Sequence, residues 1–157
     1  MGENIGDWAE VEEDSFIYQF KTSGKNITFL GDDFWVGLYG SLFNKEVSYY
    51  TLDILDLDTN DYGVMDHIVK EIQNDETQVV IAHLLGIDHA GHSYDVTHWE
   101  LERKVKEIDD ALKVITESLT PNTTLIMFGD HGQLDEGNHG GGSSHEKQTI
   151  LFAYSNH

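Results

Sequence analysis

Two short stretches carry side chains that could do chemistry together. Gly86-Ile87-Asp88-His89-Ala90-Gly91-His92 sets a carboxylate and an imidazole four residues apart. Gly129-Asp130-His131-Gly132 sets another such pair side by side, and His139 follows eight residues after His131. Seven of the nine histidines fall within residues 83–98 and 131–145. Aspartate with neutral imidazole is the donor set of catalytic zinc and its first-row relatives. Glycine loses the most backbone entropy on folding, so the cost of ordering the glycine-rich loop around His139 suggests that something is held there. Gly129 and Gly132 permit the bend that lets adjacent ligands reach one metal, and Gly140, Gly141 and Gly142 let His139 swing back. Asp88 and His92 are expected in a loop that turns at Gly91.

These residues need a scaffold. Asp14–Ser23 reads as a short helix with Phe16, Ile17 and Phe20 facing inward and Gly24 as its stop. Asn26–Leu30 and Val47–Tyr50 read as strands, and residues 61–73 keep helical spacing at Val64, Met65, Ile68, Val69 and Ile72. Gln78–Leu85 is a nearly continuous apolar run, as expected of a buried parallel strand. Thr97 and Glu100 match a capping box, with Leu101, Val105, Ile108, Leu112, Ile115 and Leu119 on one helical face until Pro121. Thr124–Phe128 and Thr149–Tyr154 are the last strands. The alternation predicts an α/β domain with a largely parallel sheet and flanking helices. In such sheets ligands gather beyond the carboxyl ends of strands, where Asp32-Asp33, Asp88-His92 and Asp130-His131 all fall. Residues 1–13 read as a loose acidic segment, and residues 14–157 as the folded part.

Several polar residues have plainer readings. His83, inside an apolar run, reads as a core residue or one standing behind a ligand. His67, His98 and His145 read as surface residues. Asp32 and Asp33 read as strand-closing turn residues. Asp53, Asp56, Asp58 and Asp61 are out of register for an EF-hand.

The 157 residues fit one domain. A net charge of −20 repels nucleic acid and anionic head groups, so no nucleic-acid partner is expected. Arg103 is the sole arginine, so a phosphate-bearing substrate would draw its positive charge from metal ions. The lack of cysteine excludes a disulfide scaffold and thiolate ligands. No apolar run approaches transmembrane length, and no signal peptide is visible. Met1-Gly2 begins like a myristoylation signal, but Gly6 stands where Ser or Thr is wanted. Asn26-Ile27-Thr28 and Asn122-Thr123-Thr124 match the glycosylation sequon and matter only in a lumenal chain.

The motifs at 86–92, 129–132 and 138–141, with the Gly31-Asp32-Asp33-Phe34-Trp35 turn, resemble the alkaline phosphatase superfamily. Within it the chain is most similar to the GPI ethanolamine phosphate transferases, particularly the branch that modifies the outer mannose. The likeness runs from about residue 10 to 155. It implies an alkaline-phosphatase-like fold, incomplete here, with residues 14–157 as the C-terminal half of the catalytic domain. It implies two divalent ions, with zinc expected: Asp88, His92 and His139 on one, Asp130 and His131 on the other. His89, like His83, would stand behind the ligands. A threonine nucleophile and a further metal-binding Asp are expected upstream of this chain, because Thr22, Thr28, Thr123 and Thr124 do not match their context. The implied reaction moves phosphoethanolamine from phosphatidylethanolamine to a mannose of the GPI precursor. The implied setting is the endoplasmic reticulum membrane, with a lumenal catalytic domain, a small multi-pass stabilising subunit, and membrane attachment through regions this chain lacks. Gln133 departs from the hydrophobic residue usual after Gly-Asp-His-Gly. Two alternatives stay open: another two-metal phosphodiesterase or phosphatase of the superfamily, and a non-catalytic truncated paralogue. A half-domain would also expose an unpaired strand edge and apolar surface.

Overall fold

The computed structural model describes residues 9–155. The Met1-Gly2 start, which only begins like a myristoylation signal, and residues 1–8 of the expected loose segment lie outside them. Residues 9–13 form no helix or strand, though the Val11 N–H donates to the Leu38 carbonyl at 3.0 Å. The chain forms two compact units. One joins the described residues up to Thr51 with Asn60–Leu84, and the other joins Leu52–Thr59 with the described residues from Leu85 onward.

The first unit opens with helix α1 (Phe16–Thr22), whose N-cap Ser15 accepts from the Tyr18 N–H. Only Ile17 of its apolar residues is fully buried. Phe16 and Phe20 are 53% and 39% exposed, against expectation, and meet edge to face. Strand β1 (Ile27–Asp32) follows, then α2 (Asp33–Tyr39), β2 (Lys45–Tyr49), α3 (Thr59–Ile72) and β3 (Val79–Ala82). The sheet order is β2-β1-β3, both pairings parallel. β1 is therefore central, and all six of its residues are buried, as a strand covered on both faces requires. β3 is shorter than the apolar run suggested and only half-buried, because it lies at the sheet edge. The core is aromatic: Phe29 stacks between Phe43, at 4.9 Å between ring centres, and Trp35, at 5.8 Å. Val64 and Ile68 of α3 are buried as their spacing predicts.

The second unit contains α4 (Gly86–Tyr94), α5 (Trp99–Ser118), β4 (Thr124–Phe128), α6 (Ser144–Lys147) and β5 (Leu151–Ser155). α4 replaces the expected loop. β5 pairs antiparallel with β4, so the parallel sheet is the three-stranded one. Ile126, Phe128 and Leu151 on this pair are 59%, 57% and 73% exposed. The capping box expected at Thr97 does not form. His98 caps α5, its Nδ1 accepting the Glu100 N–H at 3.3 Å, while the Thr97 hydroxyl bonds to Asp95. On α5, Ile115 is buried but Val105 is half exposed, and Lys104 is wholly buried instead. An ionic knot explains this. Lys104 Nζ lies 3.2 Å from both Asp58 Oδ1 and Glu107 Oε2, a pairing that a buried ammonium requires. Arg103 bonds to Glu100, Asp58 and Glu107. Glu100 foremost holds its guanidinium more firmly protonated than usual. The sole arginine is thus committed to carboxylates. Among the described residues, no helix is long and apolar enough to cross a membrane.

The fold carries a pH signature at Glu71, whose side chain is 5% exposed and paired with Lys45. The Lys45 hydrogen bond, outweighing burial and aided by Asn74 and Thr77, holds its carboxyl below the ordinary 4.5. A carboxyl depressed by folding stabilises above its unfolded pKa and loses that contribution as pH falls through its folded one. Glu71→Gln is expected to cost roughly 1–3 kcal/mol near neutrality. Urea unfolding at a series of pH values checks this, since the gap between wild type and variant should close below about 4.5.

Candidate metal centre

Helix geometry brings the first pair together. Residues four apart share a helix face, so α4 stacks Asp88 and His92, with Asp88 Oδ2 3.6 Å from His92 Nε2. The other oxygen, Oδ1, lies 3.4 Å from His139 Nε2. One donor atom from each of the three lies within 4.8 Å of the others. Ligands about 2.0 Å from a tetrahedral ion sit roughly 3.3 Å apart, so this set, spread over up to 4.8 Å, holds one divalent cation once its donors draw closer together. The side chains are 27%, 27% and 30% exposed, open enough for a substrate atom to reach them.

His139 depends on a tight turn. The Gly137 N–H donates to the Leu134 carbonyl at 2.8 Å, and the Leu134 N–H to the Asn138 carbonyl at 2.9 Å. Gly137 adopts φ +79°, and a Cβ there would sit 1.9 Å from the Gly91 carbonyl oxygen. The loop therefore lies against the backbone of α4, in a conformation and at a distance that only glycine allows. Gln133, the departure from the usual pattern, has a role here. Its Nε2 donates to Asp88 Oδ1 at 3.0 Å, orienting the carboxylate, and its amide fills the space a Cβ on Gly91 would need.

The second pair adjoins the first. The His131 ring stacks on His139 with centres 3.8 Å apart, and His92 lies 4.9 Å from His139. His131 Nδ1 is 3.0 Å from the Gly132 carbonyl. A carbonyl only accepts, so Nδ1 donates there and Nε2 is the ring atom left to offer a lone pair to a cation. That Nε2 is 3.4 Å from Asp130 Oδ2, on a carboxylate 66% exposed. Behind this pair, α6 pins the loop. Ser143 and Glu146 form a reciprocal capping box, and Glu146 also accepts the Gly141 N–H at 2.6 Å. The Ser143 hydroxyl, then the Ser143 and Gly141 N–H groups, hold its carboxyl below the usual range. Gly132 packs so closely on α6 that a Cβ would sit 2.0 Å from the His145 carbonyl.

The remaining histidines separate from this group. His89 is buried on α4, its Nδ1 donating to the Asp56 carbonyl at 3.0 Å, which ties the helix to residues 52–59. His83 belongs to the first unit, where it follows β3 directly and its Nδ1 bonds to Asp32, the last residue of β1. Asp32 does more than close a strand: its other oxygen caps α2 through the Phe34 and Trp35 N–H groups. His145 is exposed, and His98 serves as the α5 cap.

The family model described as the metalloenzyme superfamily matches residues 42–157. The chain belongs to the metalloenzyme superfamily. A superfamily of this kind implies divalent metal binding, and the Asp88-His92-His139 set is a fitting donor group. The chain is also 37% identical over 154 residues to the human GPI ethanolamine phosphate transferase 3, catalytic subunit, covering 98% of this chain and 14% of that protein. It is 40% identical over 151 residues to GPI ethanolamine phosphate transferase 3 of Saccharomyces cerevisiae, covering 95% of this chain and 15% of that protein. Against the enzyme of the same name from Schizosaccharomyces pombe it is 34% identical over 157 residues, 99% of this chain and 17% of that protein. The likeness read from the motifs thus extends over nearly the whole chain, which spans about a seventh of the length of these relatives.

Within this metalloenzyme fold the supporting residues Gln133, Gly137 and Glu146 escaped the sequence reading. Only Glu146 left a signal, the Ser-x-x-Glu of a capping box at 143–146. The two loop glycines at 137 and 140 differ in a testable way. Gly140, at φ +94° with nothing within 4 Å of a Cβ, should lose about 1 kcal/mol on Gly140→Ala through backbone strain alone. Gly137→Ala adds a backbone overlap and should cost roughly twice that or more. Thermal unfolding of the two variants compares them, and the larger drop in Tm is expected at 137.

Proposed function

We propose that this chain provides part of the catalytic domain of a phosphoethanolamine transferase acting in GPI anchor synthesis. The convergence of Asp88, His92 and His139, in a chain of the metalloenzyme superfamily, carries the reading. The names of the relatives support ethanolamine phosphate as the group moved and GPI as its setting; phosphatidylethanolamine is the proposed donor and a mannose of the GPI precursor the proposed acceptor. Asp88, His92 and His139 hold one zinc ion, and Asp130 and His131 contribute to a second. Residues 14–157 form the C-terminal half of an alkaline-phosphatase-like domain. The nucleophilic threonine and the remaining aspartate belong to sequence upstream of this chain. The domain works on the lumenal side of the endoplasmic reticulum membrane, anchored by other parts of the protein and accompanied by a small multi-pass stabilising subunit.

The residues divide the work. Bound divalent cations supply positive charge against the phosphoryl oxygens and make an attacking hydroxyl more acidic. With Arg103 locked among Glu100, Asp58 and Glu107, this chain has no free guanidinium for that task. Asp88 presents an oxygen toward each of two imidazoles, and Gln133 fixes its rotation. Hydrogen bonds from ligand-supporting groups of this kind raise metal affinity by about 10–100-fold. His131 has its lone-pair nitrogen selected by the Gly132 carbonyl.

Zinc analysis of the purified full-length transferase after equilibration and desalting is the test. Wild type is expected to retain zinc at both sites, Asp88→Ala to lose one site and Asp130→Ala the other. In the full-length transferase both substitutions should abolish phosphoethanolamine transfer. Equal zinc in all three proteins would overturn the reading.

A further inference from the structure

The two sequons differ in what the fold does with them. Oligosaccharide transfer to asparagine needs the side-chain amide nitrogen and the hydroxyl two residues on, both presented to an enzyme. Asn122 meets that need. It is exposed in the turn between α5 and β4, at φ +67°, a left-handed conformation that asparagine tolerates better than most residues. The turn is closed without it, by the Thr123 N–H to the Thr120 carbonyl at 3.1 Å and by the two threonine hydroxyls at 2.7 Å. The side-chain amide of Asn122 has no hydrogen-bond partner among the described residues. Thr124, the first residue of β4, is also exposed, and its hydroxyl makes only a long contact, 3.5 Å to Ser155 Oγ.

Asn26 is exposed too, but its amide is engaged and its threonine is buried. Its Nδ2 donates to the Glu76 carbonyl at 2.9 Å, and its own backbone N–H donates to Gln78 Oε1 at 2.9 Å. Thr28 is 2% exposed within β1, its hydroxyl 3.2 Å from that of Thr77 and 3.4 Å from Glu71 Oε2. Presenting this sequon would require the central strand to leave the sheet.

We propose that Asn122 carries an N-linked glycan and that Asn26 does not. The inference rests on the lumenal placement proposed above. The bond formed joins Asn122 Nδ2 to the anomeric carbon of an oligosaccharide carried on a lipid pyrophosphate. The bond broken is that carbon's link to the pyrophosphate, which leaves with its lipid, while the amide gives up one proton. The glycan then stands on the helix-to-strand turn and leaves the hydrogen bonds around it intact.

The test uses the full-length protein from its own cells. Release of N-glycans by an amidase in 18O water labels each formerly occupied asparagine for mass spectrometry. The label is expected at position 122 and not at 26. The mobility shift on deglycosylation should vanish in Asn122→Gln and persist in Asn26→Gln. Label at 26, or at neither position, overturns the inference. Protease treatment of sealed microsomes separates the causes. A protected but unlabelled segment refutes the site alone, whereas a digested segment refutes the lumenal placement as well.

Discussion

The contact between Gly137 and the Gly91 carbonyl governs the candidate centre. A helix side chain can meet only neighbours on its own face, so α4 alone can pair Asp88 with His92 and no more. The third donor must arrive from a segment more than forty residues further on in the sequence. It does so because the turn at residues 134–138 lies directly on the backbone of α4, at a distance any Cβ would forbid. From that contact follow the approach of His139 to Asp88, the stacking of His131 on His139, and the reach of Gln133 across Gly91.

Charge explains much of the remainder. The chain carries 29 acidic and nine basic residues, and three of those cations are drawn into carboxylate pairs within the two units. Lys45 satisfies Glu71 in the first unit, and Arg103 with Lys104 satisfies Asp58 and Glu107 in the second. The Asp58 carboxyl stays below its ordinary range because these two cations outweigh the burial that would raise it. Among the described residues no lysine or arginine forms an ion pair with Asp88 or Asp130, whose charged partners are imidazoles, an electrostatic setting that favours a divalent ion.

The sequence made the strongly periodic elements legible. β4 falls at residues 124–128 as expected, and α3 and α5 within two residues of their predicted ends. α4 takes the place of the loop expected because glycines at 86 and 91 weigh against a helix, whereas here Gly91 admits the close approach of Gln133 and Gly137. The inward face of α5 was misread at Val105 because burial of Lys104 depends on Asp58, a partner about forty-five residues distant that periodicity cannot reveal. The His98 cap was hidden because histidine is an uncommon N-cap. All five proposed ligands stood out by residue type. Gln133 stood out only as a departure from the family pattern and Gly137 not at all, since their roles exist only once the loop is folded against the helix.

The most direct measurement of the central claim is zinc-edge X-ray absorption on the zinc-loaded chain. The account predicts a nitrogen and oxygen shell near 2.0 Å with the outer-shell scattering of imidazole, and loss of part of that imidazole signal in His139→Ala. A spectrum of hydrated zinc without imidazole scattering, or one unchanged by His139→Ala, would contradict it.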